Sequence, residues 1–61
     1  MIITNKSTLT GNIHTLTIDV TMEQIIAWED GELIQNAMPN LTPDEREFIM
    51  TGITAAEWEA M

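Results

Sequence analysis

The chain has 61 residues and a formal net charge of −8, ten acidic side chains against Lys6 and Arg46, with no cysteine and one histidine. So short a chain is a single domain whose core is close to the smallest that stands alone, and without cysteine it has neither disulfides nor thiolate metal sites to brace it. Two cations are too few to displace the counterions of a nucleic-acid backbone, and the same charge repels anionic bilayers, which leaves basic protein surfaces and further copies of the chain as the expected partners.

Residues 1–20 are rich in β-branched types: Ile2, Ile3, Thr4, Thr8, Thr10, Ile13, Thr15, Thr17, Ile18 and Val20. Such residues suit a pleated surface, and Gly11-Asn12 between the two runs is a two-residue hairpin signal. Pairing Thr10 with Ile13 sets Ile3 opposite Val20 and Asn5 opposite Ile18. His14, Leu16, Ile18 and Val20 then share a face with Ile3, Asn5, Ser7 and Leu9, while Ile13, Thr15, Thr17 and Asp19 take the other, with Lys6 diagonal to Asp19. The first strand alternates less cleanly, and Asn5–Thr8 is alternatively a loop with only Met1–Thr4 paired. A hairpin leaves open edges, which a helix covers or a second copy pairs with across a two-fold axis.

Three threonines are followed three positions later by Glu or Gln: Thr21 and Gln24, Thr42 and Glu45, Thr54 and Glu57. Each pair predicts a capping box, in which the hydroxyl accepts from a free N–H one turn in and the longer side chain returns to the N–H of the threonine. Pro43 stands at the first helical position, where its missing N–H costs nothing. Val20 and Ile25 are spaced as a hydrophobic staple on the first helix, and Gly31 ends it in left-handed geometry. Glu32–Met38 is a second short helix, or the first continues with a bend to Asn36; Pro39 closes either. The third helix turns Phe48 and Ile49 inward and ends at Gly52, with Phe48 and Ile53 at the touching positions of a Schellman ending. Thr54 opens a last turn in which Ile53 staples onto Trp58.

The acids Glu29, Asp30 and Glu32 cluster at the end of the first helix, either as a solvated helix end or as an acidic binding patch, and they lack the alternate oxygens of a calcium loop. Trp58 is assigned to the core. Trp28, followed directly by acids, is the candidate exposed anchor for a partner. Asp44, Glu45 and Glu47 sit where a helix macrodipole favours them. Arg46 is a candidate anion-binding residue, or it pairs with acids or caps a neighbouring helix end. His14 has no Ser or Cys nucleophile with a neighbouring acid to build a triad. No catalytic residue, cofactor site or metal site is assigned, and the chain is expected not to be an enzyme.

The stretch Leu33-Ile-Gln-Asn-Ala-Met-Pro-Asn-Leu-Thr-Pro-Asp-Glu-Arg-Glu-Phe-Ile, continuing Met-Thr-Gly-Ile-Thr-Ala-Ala-Glu-Trp, resembles small uncharacterised proteins of tailless single-stranded-DNA bacteriophages over about half the chain. No residue role carries over with that resemblance. It implies a phage product acting in the bacterial cytoplasm, where small acidic proteins bind host machinery. The absence of a cationic leader and of any apolar run of transmembrane length also points to the cytoplasm. The expected fold is α+β: an antiparallel hairpin over residues 1–20, then three to four short helices over 21–61 packed on one of its faces. The expected function is a non-enzymatic, homo-oligomeric interaction protein that binds and blocks a basic host protein through Trp28, Glu29, Asp30 and Glu32. Alternatives are an oligomer that sequesters a small anion such as a nucleotide at Arg46, and a structural or scaffold component of a virion.

Overall fold

The β-branched runs form the sheet and the threonine boxes start the helices. The computed structural model describes residues 1–61, as β1 (Ile2–Lys6), β2 (Ile13–Thr17), α1 (Met22–Glu29), α2 (Ile34–Ala37), α3 (Pro43–Thr51) and α4 (Ala55–Glu59). β1 and β2 pair antiparallel into a two-stranded sheet. This is the expected α+β arrangement. The side chains of Ile2, Thr4, Lys6, Ile13, Thr15 and Thr17 all stand on the exposed face, while the helices cover the face that carries Ile3 and Asn5.

The register differs from the one expected. Ile3 pairs with Leu16, Asn5 with His14 and Lys6 with Ile13, so the connection is Ser7–Asn12 and not the dipeptide Gly11-Asn12. Ser7 is the cause. Its buried hydroxyl accepts from the N–H groups of Leu9 and Thr10, its carbonyl accepts from Gly11, and its own N–H donates to Asn12 O at 2.8 Å. A serine that satisfies several backbone groups at once builds a turn of its own. The slip moves the pairing by an even number of residues, so every side chain keeps its predicted face. Lys6 now lies opposite Ile13 and is not diagonal to Asp19, whose carbonyl instead accepts from Asn40. Asn5 and Lys6 are strand residues, not loop.

All three capping boxes are formed, each with the threonine hydroxyl and the Glu or Gln side chain engaged. Asn40 also accepts from Gln24, which ties the start of α1 to the turn before α3. Gly31, at φ 107°, ends α1: its N–H donates to Trp28 O and that of Glu32 to Ala27 O, a Schellman pattern. α2 is a separate short helix, not an extension of α1. α3 ends differently from expectation. Gly52 donates to Phe48 O at 2.8 Å, but the N–H of Ile53 turns to the Thr51 hydroxyl, so the ending is the simpler left-handed cap and not a Schellman motif.

Ile18, Val20, Ala37, Met38, Leu41 and Phe48 make the core, flanked by Ile3, Ile25, Ala27, Trp28, Ile34 and Ile49. Both members of the predicted Val20–Ile25 staple therefore belong to it. The accessible surface of 4051 Å² matches the roughly 4,000 Å² that a compact chain of this mass retains. The sheet is seated on α3: Asn5 donates to the carbonyls of Phe48 and Ile49, Thr8 N–H donates to Thr51 O, and Gly52 lies directly against the Lys6 backbone.

Candidate functional site

The two indoles exchange the positions expected of them. Trp28 is half-buried and packs on the core, whereas Trp58 is 42% exposed. α1 needs a large apolar group to face the core, and Trp28 stands one turn below Ile25 on that side. α4 is too short to bury two faces. Its inward residue is Glu57, and Trp58, about 100° further round the helix, turns out. Glu29, Asp30 and Glu32 are exposed beside Trp28 at the end of α1. What surrounds them outside is apolar: Met22, Ile26 and Leu33 are 57%, 50% and 62% exposed. Met22, Ile26 and Glu29 recur at helical spacing along one stripe of α1. The spacing alone does not reveal this outer stripe, because it does not say which of two apolar sides meets the core.

Arg46 is spent on helix capping. Its Nε donates to Met38 O at 3.1 Å and a terminal nitrogen to Pro39 O at 3.4 Å. These carbonyls belong to the C-cap of α2 and the residue after it, and Met38 O also accepts from Leu41 N–H, so Arg46 braces the turn that follows α2, at a helix end where a cation is favoured. The guanidinium fork that an anion would need is therefore directed at backbone.

Glu57 is the most connected side chain. One carboxylate oxygen accepts from Thr54 N–H, as its capping box requires, and the other accepts a short hydrogen bond from the Thr10 hydroxyl. His14 Nε2 lies 3.2 Å from the same oxygen, but out of line, so it makes a close electrostatic contact without a directed hydrogen bond. The Thr10 hydroxyl, the Thr54 N–H, His14 and Ser7 together hold the Glu57 carboxyl down at about 2, against a desolvation that would raise it. Glu57 thus pins the hairpin turn to α4. The capping-box spacing located Glu57, but no local signal links it to Thr10 and His14.

An open cleft of about 580 Å³ runs past this cluster, with Leu9, Ala56, Ala60 and Met61 on its apolar side and Asn12 at its rim. Its polar groups are largely committed to one another, and the Ser7 hydroxyl nearby is buried and engaged with backbone. No three His, Cys, Asp or Glu side chains gather as a metal site would require. No helix is long and apolar enough to cross a membrane.

The linkage has a definite sign. A carboxyl whose folded value lies below its unfolded one stabilises the fold above the unfolded value, and that contribution disappears as pH falls through the folded one. For Glu57 the window runs from about 4.5 down to about 2. Observed by carboxyl-carbon NMR, Glu57 is expected to titrate near the bottom of this window. Thr10→Val should move its midpoint upward, and an unmoved midpoint would refute the hydroxyl as its main cause. Glu57→Gln should flatten the pH dependence of stability across the same window.

Comparison with protein-family models, with curated proteins and with solved structures found no match for this chain.

Proposed function

We propose that the protein is a small acidic interaction module without catalytic activity, which docks the outer face of α1 on a basic surface of a partner protein. The observation that carries this reading is the exposure of Met22 and Ile26 on one side of α1 and of Leu33 just past its end, in a segment that also carries Glu23, Glu29, Asp30 and Glu32. Apolar side chains among acids offer burial together with charge steering. Trp28 contributes from beneath, by fixing α1 to the core, and not as the inserted anchor. The resemblance to small phage proteins suggests a bacterial host protein as the target, blocked in the cytoplasm by occupation of its basic surface. Catalysis has little to draw on: His14 faces a carboxylate already engaged by the Thr10 hydroxyl, and the Ser7 hydroxyl is buried and engaged with backbone.

The test uses the whole chain as bait in bacterial lysate, beside Ile26→Ser and a combined Glu29→Gln, Glu32→Gln variant. The stripe predicts a protein whose capture falls about tenfold with Ile26→Ser. The same capture should fall with charge neutralisation and in about 1 M salt, where charges are screened beyond about 3 Å. A captured protein indifferent to all three changes, or none captured at all, would remove this reading.

A further inference from the structure

β2 has a neighbour on one side only. Its ladder with β1 is anchored at both ends, where Met1 and Ile18 exchange bonds through N and O and Ser7 N–H donates to Asn12 O. Between them Ile3 faces Leu16 and Asn5 faces His14. Antiparallel ladders alternate bonded and non-bonded pairs. The bonded pairs are therefore those of Met1, Ile3, Asn5 and Ser7, and the N–H and C=O groups of Ile13, Thr15 and Thr17 point away from the sheet. They have no turn or inter-element backbone partner. The far edge of β1 is covered toward its Lys6 end, where the end of α3 lies against it through Asn5, Thr8 and Gly52.

The open edge carries none of the usual guards. Ile13–Thr17 contains no lysine, proline or acid, and its pairing with β1 runs without a bulge. Charge is segregated in the same sense. All ten acids lie at Asp19 or later, and the hairpin before it holds only Lys6 and His14 besides neutral residues. The open edge and exposed face of β2 thus carry no acid, and the one carboxylate held against the hairpin, that of Glu57, meets it at Thr10 and at His14 on the covered face.

We infer that β2 pairs antiparallel with β2 of a second copy about a two-fold axis at Thr15, making a continuous four-stranded sheet. In that register Thr15 meets Thr15, and Ile13 of each copy meets Thr17 of the other, so every outward N–H and C=O of the edge finds a partner. The side chains agree with it. Thr4 and Thr15 already join their hydroxyls at 2.9 Å, and the axis extends that contact into a row running Thr4, Thr15, Thr15, Thr4 across the sheet. Ile13, 71% exposed in the single chain, gains a β-branched neighbour of the kind that stabilises sheets. A foreign strand would satisfy the backbone but would not reproduce this row. The edge lies on the hairpin and not on α1, so the pairing stands or falls independently of the docking stripe.

The test is sedimentation of the full chain with residue-resolved amide exchange over a range of concentrations, together with Thr15→Lys and Thr15→Glu. Thr15 is exposed and its side chain makes one hydrogen bond, to the Thr4 hydroxyl, so both variants keep the hairpin ladder. The wild-type chain should sediment as a dimer. The amides of Ile13, Thr15 and Thr17 should slow as concentration rises while that of Thr4 does not. Either variant alone should weaken association about tenfold or more, and an equimolar mixture of the two should restore it. A single-chain mass at about 1 mM, protection appearing at Thr4, or a dimer indifferent to Thr15→Lys would each overturn the pairing. If circular dichroism finds the variants unfolded, the wild-type amide pattern decides alone.

Discussion

Gly52→Ala is expected to cost about 3 kcal/mol or more and to lower the melting temperature by about 12 °C or more. Two effects add. Gly52 holds φ 77°, where an L side chain costs about 1–2 kcal/mol. A Cβ there would also fall within van der Waals contact of the Lys6 carbonyl and 2.9 Å from Ser7 N. Those are backbone atoms and cannot swing aside as a side chain would, so β1 must lift from the end of α3. Gly31→Ala separates the two effects, because Gly31 has positive φ but nothing within 4 Å of the added carbon. It should lose only the conformational part, about 1–2 kcal/mol. Melting followed by circular dichroism compares the two directly. Equal losses would mean that the close approach of Lys6 to Gly52 does not hold the sheet. In any folded fraction of Gly52→Ala, the turn should also loosen from α4 and Glu57 should titrate closer to an ordinary carboxyl.

Phe48→Ala is expected to cost about 3–5 kcal/mol, comparable to the whole stability of a domain this small, roughly 3–9 kcal/mol. Phe48 is 1% exposed and is the largest side chain of a core otherwise made of Ile18, Val20, Ala37, Met38 and Leu41. Few neighbours are available to collapse into the space it would leave. Its carbonyl also receives both Gly52 N–H and the Asn5 side chain, so movement of α3 would disturb the cap and the seating of β1 together. Phe48→Leu, which keeps most of the volume, should cost only about 1–2 kcal/mol. Denaturant unfolding measures both, and an alanine variant as stable as the leucine one would place the core elsewhere. Were the chain to pair through β2, the midpoint of either variant would rise with protein concentration.

Glu57 illustrates how little of the candidate site is local. Thr54-Ala-Ala-Glu57 announces a helix start, and the helix does start there. That the same carboxylate meets Thr10 and His14 depends on where the hairpin turn comes to rest over α4, which no spacing encodes. The indoles make the same point. Trp28 and Trp58 each sit at the apolar phase of a short helix, and burial of one and exposure of the other follows from the docking of α1 and α4. The hairpin register was misread for a related reason. Gly11-Asn12 has the composition of a two-residue turn, but Ser7 and the distant Thr51 carbonyl satisfy more backbone groups in the longer one.

The sequence alone determined the α+β class, the three helix starts and the face each strand residue occupies. These rest on hydrogen bonds spanning no more than four residues, on the two-residue period of a strand and on composition. Only the tertiary structure decided the register, which tryptophan packs on the core, the bonds of Arg46 to the turn after α2 and the bonding around Glu57. Each of those is settled by competition among packings of groups far apart in the chain, where neighbouring residues favour none of the outcomes strongly enough to choose between them.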